Sequence, residues 1–148
     1  MPTPSLRNRL ISFFDRLMSK DAETPWQREF NQKRGVSAFR SDELWPQLEQ
    51  LSQMWQVVLH PRLLNAQLRL VRLDESAEFD QELLQQLDGI MQFCRMFIAT
   101  AVLQFSQVED ELPTARADLK VLLQLLNLES ELCDEVLQLT RASSSTSA

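Results

Sequence analysis

His60, Cys94 and Cys133 are the side chains best suited to act as bases, nucleophiles or soft-metal ligands, and their positions argue against that chemistry. His60 is the only histidine, stands directly before Pro61 and has no acid within four residues on either side. Neither a histidine-assisted nucleophile nor a multi-histidine metal centre can be assembled around it. A phosphotransfer bundle would also need its histidine on a helix face rather than at a helix end. Cys94 and Cys133 lie 39 positions apart, each inside an apolar helical pattern. That pattern predicts two buried free thiols in a reducing compartment, with a single inter-helix disulfide as the competing reading. The neighbouring acids Asp110 and Glu111, and Asp134 and Glu135, read as solvated charges, because acid–base pairs need burial to split their pKa values. Gly35 and Gly89 are the only glycines, too few for a phosphate-cradling loop. The expectation is a protein without catalytic residues, metal or cofactor.

Binding is better represented than reactivity. Leu6, Leu10, Phe13, Phe14 and Leu17, with Ile11 and Met18 beside them, recur at helical spacing and fall in an arc of about 160°. Arg9, Arg16 and Lys20 flank that face. Such a helix suits three roles. It could lie on an anionic membrane surface, dock in a partner's groove, or pack on its own bundle. A second candidate is the basic face of Arg62, Arg69 and Arg72, in a stretch free of acids that would suit a phosphate or a partner's carboxylates. The third comprises the aromatics Trp26, Phe30 and Phe39, which punctuate a polar stretch and read as anchors pinning a linker to a surface. Residues 122–139 resemble a helix-turn-helix in outline. Their exposed positions hold Glu131, Asp134 and Glu135, which phosphates would repel, so a plain helical hairpin is the preferred reading.

The elements that must carry these residues are helical. Among 148 residues there are 26 leucines and 15 glutamines against two glycines and no tyrosine, a composition of helix formers. The segment 1–20 forms the amphipathic helix, with Ser5 as its N-cap, and 21–41 the linker. A helical bundle spans 42–141. It begins with a helix from Asp42 to His60, broken by Pro61, and continues with one from Arg62 to Leu73. That helix is apolar over about 220° and should therefore touch neighbours on several sides. Asp74 or Ser76 caps the longest element, from Ala77 to Val108, too short in its apolar part and too interrupted by Arg95 for a membrane span. Thr114 caps a helix to Leu126, a turn follows at Asn127, and a last helix covers Glu129 to Arg141. The tail 142–148 is expected to be disordered.

Charge divides the chain. Residues 1–40 sum to +4 and residues 41–148 to −10, giving the net −6. An acidic body makes nucleic acid an improbable partner. The resulting expectation is all-α: a single-domain bundle of five or six helices around one long central helix, preceded by the amphipathic helix and linker. Its expected function is that of a cytoplasmic adaptor, regulator or chaperone-like module that binds another protein through apolar helix faces. The first helix is the candidate docking element. The alternatives are a peripheral membrane protein anchored by residues 5–20, and a small nucleic-acid-linked regulator using Arg62, Arg69 and Arg72. A homodimer also fits, given the apolar surface on the third and long helices. A mitochondrial leader, also amphipathic, arginine-bearing and poor in acids, is a minor alternative to the cytoplasmic expectation.

Overall fold

The computed structural model describes residues 5–18, 28, 29, 32, 44–74, 78–108 and 113–146, and among these the regular structure is entirely helical, with no strand. Helix α1 spans Leu6–Leu17. It starts where the Ser5 side chain accepts the Asn8 backbone N–H at 3.3 Å, as expected of an N-cap. It ends at Met18, whose extended backbone still donates to the Phe14 carbonyl at 2.8 Å. The next rod is continuous from α2 (Leu44–Gln53) through a π-helical segment (Met54–Leu59) into α3 (His60–Arg72). Helix α4 spans Gln81–Gln107 and α5 spans Pro113–Thr146.

Pro61 does not break the chain. A proline removes one N–H and crowds the carbonyl four residues back, here that of Val57. The helix answers by widening the preceding turn, so that the His60 N–H donates to the carbonyl of Trp55, five residues back. His60 itself keeps right-handed helical angles, φ −57° and ψ −47°. Aromatic packing holds this wide turn in place. The buried Trp55 ring meets His60 edge-on at 5.7 Å between centroids and Phe97 of α4 at 5.4 Å.

The expected turn at Asn127 is likewise absent. Asn127 is a modest helix former, but neither glycine nor proline stands near it. The buried row Leu125, Glu129, Leu132 and Val136 runs straight past it at helical spacing. Packing along one uninterrupted face outweighs the small local preference for a turn. With both interruptions gone, the expected five or six helices become four continuous rods among the described residues. The last rod, at 34 residues, is longer than α4 at 27. It runs on to Thr146, past the expected end at Arg141. It also begins at Pro113, a favoured first helical position, so Thr114 lies inside the first turn rather than capping it. The Thr114 N–H donates instead to Glu29 Oε2 at 3.2 Å, which ties Glu29 to the start of α5. Helix α4 begins later than expected, at Asp80, whose carboxylate accepts the Leu83 N–H at 2.7 Å.

The most extensive contact is the α4–α5 pair, and α2, the π-segment and α3 lie against α4. Leu83, Leu87, Met91, Cys94, Ile98, Ala101 and Phe105 form the buried face of α4. By length and composition alone Gln81–Gln107 is apolar enough to cross a membrane, and about a third of that apolar window is buried inside the bundle. Helix α1 closes the bundle against α3 and α5.

Candidate functional site

His60, Cys94 and Cys133 each lie within a helix. His60 meets the Trp55 ring edge-on within its helix. Cys94 and Cys133 are free and buried, as expected. Burial pushes both thiols upward, reinforced at Cys94 by the Glu129 carboxyl and then by Cys133, and at Cys133 by Glu129, Asp88 and Asp134. Cys133 Sγ also accepts Gln92 Nε2 at 3.3 Å. A cysteine acts as nucleophile or metal ligand as the thiolate, and every one of these influences but that of Arg95 on Cys133 opposes it. Among the described residues no group of three His, Cys, Asp or Glu side chains is arranged to hold a metal ion.

Glu129 is the residue that sequence reasoning missed. It is completely buried, and neither carboxylate oxygen has a hydrogen-bond partner. Burial pushes its pKa up to about 7; Asp134 adds to the rise and Arg95 opposes it. The signal was available, since Glu129 sits four after Leu125 and three before Leu132 on the apolar stripe. Placing a turn at Asn127 concealed it. Glu135, by contrast, is a surface acid that accepts from Arg9, and Asp134 is exposed. Asp110 and Glu111 lie outside the described residues.

Helix α1 is built into the bundle on both its apolar and its basic side. Leu10, Phe13 and Phe14 are wholly buried and Leu17 nearly so, while Leu6, Ile11 and Met18 pack at the margin. Four such side chains stabilise the docked helix by roughly 1.5–3 kcal/mol each, a sum comparable with the whole stability of an ordinary domain. Arg9 pairs with Glu135 and, at 3.9 Å, with Glu131 of α5. Arg7 Nε donates to the Leu70 carbonyl at 2.8 Å and its Nη2 to that of Val71 at 3.2 Å. A cation thus sits on carbonyls of the last turn of α3, where the helix dipole favours it. Gln67 of α3 donates to Asp15. Arg16 is exposed on this helix; Lys20, Trp26, Phe30 and Phe39 lie outside the described residues.

The opposite side of α3 faces solvent. Its buried edge is Leu63, Ala66 and Leu70. Leu64, Leu68 and Val71, which the 220° apolar arc had suggested were covered, are instead 43%, 48% and 55% exposed. At 100° per residue these three fall in an arc of about 60°, and Arg62, Arg69 and Arg72 occupy the adjoining arc of about 80°. Arg62 lies 6.0 Å from the centre of the Phe93 ring, and Arg69 donates to the neutral amide of Gln86. Among the described residues none of the three arginines is in an ion pair. Arg62 and Arg69 border a groove of about 400 Å³ between α3 and α4, with Asn65 on the same wall and Gln85, Gln86 and Gly89 on the other. A Cβ built at Gly89 would meet nothing within 4 Å, so this glycine leaves the groove open rather than allowing two helices to touch. On α4, Met96 and Leu103 form a further exposed apolar pair.

An apolar stripe, a flank of three guanidinium groups with no ion pair among the described residues, and a shallow groove thus lie side by side along one helix. Compared with protein-family models, with curated proteins and with solved structures, the chain matches none.

Proposed function

We propose that this protein is a non-catalytic interaction module, an adaptor or chaperone-like regulator, that receives a partner's helix on the solvent-facing side of α3. The observation that carries this reading is the contiguous exposure of Leu64, Leu68 and Val71 on a helix whose other face is fully packed. Three large apolar side chains at spacings of four and three are the anchors that helix-in-groove recognition uses. Single exposed leucines are common on protein surfaces, but a stripe flanked by one sign of charge is the pattern of an interface.

The proposed docking surface is therefore α3 rather than the amphipathic α1. Helix α1 acts as scaffold in this reading, because its apolar face is spent on Leu10, Phe13, Phe14 and Leu17 and its basic residues Arg7 and Arg9 are engaged. A membrane-anchor role would require all of these contacts to be given up.

A photo-reactive residue placed at position 68 in the producing cell, with position 120 as control, tests the reading. Lys120 is exposed on α5. The expected result is an adduct specific to position 68, whose protein partner then forms a complex with the purified chain. The substitutions Leu64→Gln, Leu68→Gln and Val71→Gln together should abolish that complex. Equal adducts at both positions, or a complex indifferent to the triple substitution, would count against it.

A further inference from the structure

We infer that the occupant of this surface is an acidic amphipathic helix, whose apolar stripe covers Leu64, Leu68 and Val71 while carboxylates on one flank reach Arg62, Arg69 and Arg72. The inference rests on the interaction reading above and specifies the partner's chemistry. Three guanidinium groups stand within about three turns of one helix, on a protein whose net charge is −6, and none meets a carboxylate among the described residues. The contrast with α1 is instructive, since Arg9 of that helix is matched to Glu131 and Glu135. Carboxylates are abundant on this chain, yet among the described residues Arg62 meets an aromatic ring and Arg69 a neutral amide. A guanidinium held beside a neutral amide keeps its forked donors available for a carboxylate.

Charge also selects against a second copy of the same surface. In a two-fold antiparallel pair of identical helices, like flank meets like flank. Arg62, Arg69 and Arg72 would then face their own counterparts across the stripe. Nucleic acid would use the arginines but leave the adjoining apolar stripe in water. A helix with leucines on its seam and glutamates on one side satisfies both halves of the surface. The groove beside Gly89 provides the room for those longer acidic side chains.

The test uses the intact chain, labelled with nitrogen-15, and three synthetic three-heptad helices. All three share a leucine stripe and differ only in one flank, which is glutamate, glutamine or lysine. The glutamate-flanked peptide should bind about tenfold more tightly than the glutamine-flanked one, as three exposed charge pairs would give. The amides of residues 62–72 should shift on binding, and added salt should erase the difference. In the variant R62E/R69E/R72E the order should reverse in favour of lysine. Gly89→Leu, which fills the groove without altering charge, should weaken the glutamate-flanked peptide selectively. Equal affinity for the three flanks with shifts at residues 64–71 would overturn the acidic-partner inference and leave the interaction reading standing. Absence of shifts at residues 64–71 with every peptide would overturn both. Tighter binding to an oligonucleotide or to anionic vesicles than to the glutamate-flanked peptide would also overturn the inference.

Discussion

Glu129 is the residue at which pH should register most directly. Its ordinary pKa of 4.5 is raised to about 7 by burial. Between those values the unfolded chain has released the proton and the folded chain still holds it, so stability falls as pH rises through this window and is level above it. Glu129→Gln keeps the shape and removes the titration. Urea unfolding should show the variant equal to the parent near pH 4 and more stable near pH 8, by on the order of 2–3 kcal/mol. A difference unchanged between the two pH values would contradict a protonated buried carboxyl. Gly89 gives a second prediction at this scale. With open space around its Cβ position, Gly89→Ala should stabilise by roughly 0.5–1 kcal/mol, read as a higher denaturant midpoint. Residue types predicted well where one local rule decided the outcome: Ser5 caps its helix, and Cys94 and Cys133 are buried and free. They predicted poorly where a polar side chain lies on an apolar row, because composition alone reads a glutamate as surface.

Helix boundaries were legible only where capping chemistry was strong. Pro61 is a strong interruption and Asn127 a weak one, and packing prevailed at both. Asn127→Pro distinguishes the observed continuous rod from a two-helix hairpin. In a turn the substitution would be nearly neutral. In the middle of α5 it should lower stability by about 3 kcal/mol or more, measured by thermal or urea unfolding. At Pro61 the missing donor is absorbed by a wide turn clamped between Trp55, His60 and Phe97. That solution depends on a partner aromatic from α4, 36 positions beyond Pro61, so no local window of sequence discloses it. The basic face of α3 was legible from spacing. Its exposure beside an apolar stripe was not, because a 220° arc of leucines says how much surface needs cover without saying which part receives it.

For the molecule as a whole, the helical class followed from leucine and glutamine content and from periodicity. The charge contrast between the two parts of the chain finds its use in the docking of α1, where Arg9 meets the acids of α5. Removing residues 1–18 should uncover the apolar seat of Leu10, Phe13 and Phe14 and lower the Tm by roughly 10–20 °C in a melting experiment. A bundle that melts unchanged would make α1 a dispensable arm and return the lipid-anchor reading to favour. The pairing of Arg9 with Glu135 joins positions 126 residues apart. Emerging from the ribosome, the first helix can meet α3 early, but its seat is complete only when the last helix is made. At about 5–20 residues per second that delay is roughly 6–25 s. For that interval the nascent polypeptide carries a sticky, positively charged hook that is only partly covered, and the cell's chaperones can reach it.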